Sequence, residues 1–260
     1  MVTAVGAASA GPGRGGERNV VVCGLIVAVV VAFGNVVNDL CDEAVDGLSK
    51  PSRPLPAGSV SRRGATVMAG ALAVGALGAT VALDGRFWLF VLLMVSLAFW
   101  YSWFLKRTPA VGNLAVGVQV GAAFMFGALG AGSVTGLTIG GSVLIGWYAF
   151  GLEVAKTMED QWADGLVGAR TIAHTLDRRS QRRLLAAILV IQAASTIAVG
   201  AVLGAGWAYW LVLIPPIPLA VLCFGFAESE ALRAVQAGRA VRASKSLWPV
   251  GLVGLFLASR

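Results

Sequence analysis

NDLCDEAVD, running from Asn38 to Asp46, closes the apolar run VVVCGLIVAVVVAFGNVV at residues 20–37. That run approaches the roughly 20 apolar residues a helix needs to span a bilayer. It gives way at once to one amide and four carboxyl side chains: Asn38, Asp39, Asp42, Glu43 and Asp46. Asn38, Asp42 and Asp46 are spaced four apart, which stacks side chains on one face of a helix. Asn35 and Asp39 form a second row, with Glu43 on a neighbouring stripe. Carboxylates aligned in this way repel one another unless a cation sits among them, and hard oxygen donors suit Mg2+.

The surrounding chain is that of an integral membrane protein. Of its 260 residues 57% are hydrophobic and 13% charged, with a mean hydropathy of +0.80, against about half apolar and a quarter charged in soluble domains. The long, non-alternating apolar runs exclude a membrane β-barrel. Candidate spans lie near 20–37, 64–83, 87–105, 111–133, 137–155, 184–204, 207–226 and 246–258. The expected fold class is therefore all-α, a polytopic membrane helix bundle of about eight transmembrane helices.

The net charge of +7 does not imply nucleic acid. With alternating spans, the loops 38–63, 106–110, 156–183 and 227–245 share one side and hold 16 of the 20 Lys and Arg. The positive-inside rule places that side in the cytoplasm of a multi-pass cell-membrane protein, with a secondary pull toward anionic lipid or phosphate. Cys23, Cys41 and Cys223 show no metal-site or disulfide spacing. Residues 1–19 are Gly-rich and lack the pattern of a signal peptide. They read as a mobile tail ahead of a single transmembrane domain over 20–260.

Beyond the first acidic row the sign reverses. KPSRP brings Lys50 and Arg53, and its prolines predict an extended, non-helical segment. The second acidic loop, EVAKTMEDQWADGLVGART, repeats the idea with Lys156, Asp160, Asp164 and Arg170. Lys156, Asp160 and Asp164 are four apart and share a face if the helix continues. A third element on the same side, YSWFLKRTPAVGN, carries Tyr101, Lys106 and Arg107. Two acidic rows facing each other could clamp metal ions, with a diphosphate between them neutralised by Lys and Arg.

NDLCDEAVD, KPSRPLPAG, YSWFLKRTPAVGN and EVAKTMEDQWADGLVGART, in this order and spacing, resemble the signatures of the UbiA superfamily of membrane prenyltransferases. The match runs from about Asn35 to Thr171. The KPSRPLPAG segment and the Gly-Asn after Lys106 look most like the branch of ether-lipid geranylgeranyltransferases and chlorophyll synthases. The resemblance implies helices around a central cavity, usually nine of them, capped by two acidic loops on the cytoplasmic side. It implies Mg2+-dependent transfer of a prenyl group from a prenyl diphosphate, long and C20-like, to a lipid or aromatic acceptor. It assigns the metal to Asn38, Asp42, Asp46, Asp160 and Asp164. The diphosphate falls to Lys50, Arg53, Lys106, Lys156 and Arg170, with Asp42, Asp160 and Lys156 central to catalysis. Thr157 stands where many members have an acidic residue. Tyr101, with Phe99, Trp100 and Trp103, offers ring faces that stabilise an allylic cation.

Two other readings compete for these residues. A terpene cyclase of the same fold would ionise the same diphosphate without an acceptor. A transporter would place its carboxylates at mid-membrane, whereas both rows here end spans.

Overall fold

A computed structural model describes residues 1–10, 16–166, 168 and 170–258, and among these it is all-helical. In chain order the helices are α1 (Val2–Ser9), α2 (Glu17–Ser49), α3 (Arg62–Ala79), α4 (Arg86–Trp103), α5 (Val111–Ala131) and α6 (Gly136–Glu159). There follow α7 (Gln161–Leu166), α8 (Ile172–Thr175), α9 (Arg178–Leu203), α10 (Ile217–Phe224) and α11 (Glu230–Ala258). Six of the eight apolar segments each coincide with one helix; 207–226 divides into a 3-10 helix (Trp207–Leu213) and α10, and 246–258 is the second half of α11, which begins at Glu230 within the expected loop 227–245. By length and composition five described helices can cross a membrane, or six if the pair Trp207–Leu213 and Ile217–Phe224, bent by 43°, forms one span. α4 is shorter in its apolar part, Phe87–Trp103, and the first half of α11 is charged.

Local chemistry sets the helix ends. Thr135 and Thr138 form a capping box at the start of α6, each hydroxyl accepting from the other's backbone N–H. Asp177 accepts from Ser180 N at 2.9 Å to start α9, and Ser61 accepts from Gly64 N at 3.1 Å to start α3. Gly132 and Gly204 end α5 and α9 in the left-handed conformation (φ 77° and 60°), which glycine adopts without Cβ strain.

α2–α5 share one apolar cluster, around Ile26, Val91 and Phe126. α6 and α8–α11 share another, around Val154, Leu185 and Leu219. The two groups meet along α5 and α6, where Gly117 and Gly121 face Gly146 and Ser142. A Cβ on Gly117 would lie 2.7 Å from the Gly146 carbonyl oxygen, and one on Gly121 equally near that of Ser142. Small residues spaced four apart permit this backbone approach, which drives helix association where lipid removes the hydrophobic difference.

Residues 1–19 differ from the expected tail. Val2–Ser9 are helical, with Thr3, Gly6, Ala7 and Ser9 buried, and Glu17 already begins α2; residues 11–15 lie outside the described residues. Only small side chains let α1 sit this close: a Cβ on Gly127 would strike the Thr3 carbonyl, and one on Gly6 the Phe124 carbonyl. Gly127→Val is expected to cost at least ~1–3 kcal/mol, the range for overpacking. Thermal unfolding in detergent reads this against Gly70→Val, whose Cβ meets nothing within 4 Å; equal melting temperatures would refute the docking of α1.

Candidate active site

At 1.5 Å per residue the 33 residues of α2 extend about 50 Å, well beyond the roughly 30 Å hydrocarbon layer. The acidic stretch is thus the helical end that outruns the membrane. Asn38, Asp42 and Asp46 do share a face, with Asp42 and Asp46 8% and 4% exposed. Asn38 donates from Nδ2 to Asp42 Oδ2 at 3.0 Å. The second row turns to the following loop. Asp39 accepts from Arg53 at 3.2 Å and Glu43 pairs with Arg62, while Asn35 lines an apolar chamber described below.

Arg53 bridges the two rows, donating from Nη1 also to Asp46 Oδ2 at 2.6 Å. Burial works against its charge, but the hydrogen bond and the charges of Asp46 and Asp39 outweigh this and hold it above the usual arginine range. The loop that carries Arg53 is not extended, as its prolines predict, but coiled into turns. Arg53 N donates to Lys50 O, Ala57 N to Arg53 O and Gly58 N to Leu55 O. Arg53, Ala57 and Gly58 supply the turn donors that the prolines lack.

Lys106 is placed by backbone packing. It sits in a single 3-10 turn, Leu105–Arg107, folded against the start of α5. The fit requires Gly112, whose Cβ would lie 2.6 Å from Leu105 O and 2.8 Å from Lys106 Cα. Ala110, between Pro109 and α5, takes a positive φ of 63°, a conformation that costs a non-glycine residue of order 1 kcal/mol. Held there, Lys106 donates to Asn38 Oδ1 at 3.1 Å and pairs with Asp42.

α6 brings the opposing wall. Glu153 and Lys156, at 3.9 Å, share a face, and the Thr157 hydroxyl is occupied by the Val154 carbonyl at 2.8 Å. The helix does not continue through Asp164, the condition for Lys156, Asp160 and Asp164 to share one face: Asp160, with backbone φ −86° and ψ 0°, ends α6. The turn into α7 is closed by Asp164 N donating to Asp160 O at 2.9 Å. Among the described residues neither Asp160 nor Asp164 carries an ion pair. Burial and the Asp160 charge push the Asp164 carboxyl above its ordinary value.

These walls enclose a charged cavity of about 180 Å³. Asn38, Asp42, Asp46, Lys50, Arg53, Tyr101, Lys106, Lys156, Asp160 and Asp164 all line it. Arg170 does not; it is exposed in the loop after α7. Phe99, Trp100 and Trp103 face outward at 38%, 49% and 61% exposure, because helical periodicity puts them opposite Ala98 and Tyr101. Glu153 and Asn113, which lie in the sequence motifs without an expected site role, also line the cavity; the three-residue step from Glu153 to Lys156 is the signal for the first. A second, largely apolar chamber of about 750 Å³ meets the first at Asn38, Tyr101, Glu153 and Lys156.

The model of the UbiA prenyltransferase family matches residues 1–244. The chain belongs to the UbiA prenyltransferase family. A digeranylgeranylglyceryl phosphate synthase of Methanopyrus kandleri is 33% identical over 241 residues, covering 90% of this chain and 85% of its own length. A solved structure concerned with digeranylgeranylglyceryl phosphate synthase in membranes superposes with a TM-score of 0.78 at 19% identity, over 99% of this chain and 91% of the other. A UbiA homologue from Archaeoglobus fulgidus, solved with DMAPP and Mg2+, gives 0.72 at 18% identity over 95% and 93%. At these identities the structural likeness carries the fold. Together with the family match, it makes this chain a multi-pass membrane prenyltransferase.

Whether this UbiA cavity suits Mg2+ turns on its donors. Among the described residues no three His, Cys, Asp or Glu side chains converge closely enough to hold a metal by themselves. Mg2+ does not require that: it is commonly held by one or two carboxylates plus substrate phosphate oxygens and water. The donors present are oxygens, and among the described residues Asp160 and Asp164 form no ion pair, so the site fits the ion completed by a diphosphate. Since Lys106 reaches Asn38 and Asp42 only through the packing at Gly112, Gly112→Ala is expected to lower turnover and melting temperature together. Lys106→Ala should lower turnover with a smaller thermal effect. Unchanged kinetics in Gly112→Ala would show that the turn is not held in this way.

Proposed function

We propose that the chain, with α1 packed into the bundle, acts as one Mg2+-dependent domain that transfers a long, C20-like prenyl group from a prenyl diphosphate to a lipid or aromatic acceptor at the cytoplasmic face of the cell membrane. Transfer is the family's reaction, in preference to cyclisation without an acceptor. The observation that carries the finer reading is the junction of the two cavities. A charged chamber suited to a diphosphate opens, at Asn38, Tyr101, Glu153 and Lys156, into an apolar one suited to a hydrocarbon. The product for which the Methanopyrus kandleri relative is named favours a glyceryl phosphate lipid as acceptor over an aromatic one.

In this arrangement Lys50, Arg53, Lys106 and Lys156 bind the diphosphate oxygens, and Asn38, Asp42, Asp46, Asp160 and Asp164 hold the metal. Mg2+ supplies Lewis-acid stabilisation of charge on the leaving group. The bond between prenyl carbon 1 and oxygen breaks with its electron pair going to the diphosphate, and the acceptor nucleophile forms the new bond and releases a proton. Positive charge on the allylic carbon develops at the junction, against the Tyr101 ring, with the apolar chamber excluding water. Basic side chains fixed before the reaction stabilise the leaving charge without reorganising.

Purified protein in nanodiscs, given radiolabelled geranylgeranyl diphosphate, should form product only when Mg2+ and an acceptor are both present, and EDTA should abolish it. Hydrocarbon formed without acceptor would overturn the transfer reading. Asp42→Ala, Asp160→Ala and Lys156→Ala are each expected to lower turnover by ~10²–10³-fold, the scale for removing a preorganised electrostatic group. Membrane insertion should be retained; full activity in both aspartate variants would remove the carboxylates from the mechanism.

A further inference from the structure

The apolar chamber follows α2 for most of its length. From Asn38, at the junction with the charged cavity, the lining residues of α2 step through Val31, Val27 and Gly24 to Val20. That is about 27 Å along the helix axis. α4 and α5 wall only the upper part, between Tyr101 and Met94 and between Val116 and Ala123. Below them the space lies between α2 and Met1–Ala4, the first turn of α1. That turn cannot easily retreat, because the Thr3 carbonyl is packed against Gly127. An extended isoprene unit advances ~5 Å over four bonds of about 1.5 Å, so four units need ~20 Å. Gly24 lies ~21 Å below Asn38 on the same scale. A Cβ on Gly24 would meet nothing within 4 Å, so the glycine leaves open space where the fourth unit ends.

We infer that the length of the donor's tail is measured along α2, with Gly24 holding the chamber open for the fourth isoprene unit opposite the first turn of α1. This specificity element rests on the prenyl diphosphate reading above. A side chain at position 24 fills the lower chamber and leaves the upper one intact, so it discriminates by donor length and not by diphosphate binding.

The test is kcat/KM for the full chain in nanodiscs with C10, C15 and C20 prenyl diphosphates at one acceptor concentration. The wild type is expected to favour the C20 donor. Gly24→Phe should lower the ratio of C20 to C10 by at least tenfold, acting on the C20 donor through KM. Ala4→Phe enters the same space from the opposite wall and reads the same ratio where Gly24→Phe fails to insert. Gly70→Phe, on the exposed face of α3, should leave the ratio unchanged. Equal loss on all donors, or no change in the ratio, would overturn the inference and show that the tail leaves the chamber sideways. Failure of the wild type to consume any donor is a different result, since it removes the prenyl diphosphate reading beneath it.

Discussion

Negative charge gathered at the wrong end of two helices is the constraint on which the site depends. Asp42 and Asp46 lie near the C-terminus of α2, and Asp160 caps the C-terminus of α6. Helix carbonyls already concentrate partial negative charge there, and a carboxylate at such an end is disfavoured by about 0.3–1 kcal/mol. Burial raises the cost, since a half-desolvated carboxylate needs a partner. On the α2 side the fold supplies that partner from elsewhere in the chain: Lys106 for Asp42, Arg53 for Asp46. On the α6 side Asp160 and Asp164 have none among the described residues. The imbalance explains why a cation carried in with a diphosphate would bind there, and why the α2 row alone would not call for one.

The same constraint explains the close backbone contacts around the site. A lysine side chain flexes, yet Lys106 must reach two residues more than 60 positions earlier in the chain. Its backbone is seated by the absence of a Cβ at Gly112 and by the unusual φ of Ala110. Glycines at the α5–α6 seam and under α1 act likewise, fixing the depth of the cavity walls. In a bilayer such contacts replace the hydrophobic drive that would order a soluble core.

This division decides what the sequence could reveal. Apolar runs, loop charge and four-residue acidic spacing are local properties; they located the apolar helices and ten of the eleven proposed site residues in the cavity, but read the charged first half of α11, from Glu230, as loop. What escaped is non-local or depends on a single backbone angle. The break at Asp160 leaves no mark in a pattern that also suits a continuous helix. Pro51, Pro54 and Pro56 forbid helix without saying whether the chain extends or turns, and the turns form because Arg53 also has two carboxylates to reach. Arg170 shares the motif but its loop carries it away. The helix over Val2–Ser9 was hidden by its small residues, which read as a tail by composition and serve as packing against Gly127 and Phe124.

The two chambers also assign different duties to the two ends of one helix. α2 carries its carboxylates on the segment that outruns the membrane and a Val- and Gly-lined wall on the segment within it. A continuous helix holds the distance from Asn38, Asp42 and Asp46 to Gly24 constant. On the reading proposed above, a donor whose diphosphate lies in the charged cavity has its tail compared with a fixed length along α2. A helix interrupted between the two functions would let that distance drift by a turn, about 5.4 Å, which is one isoprene unit.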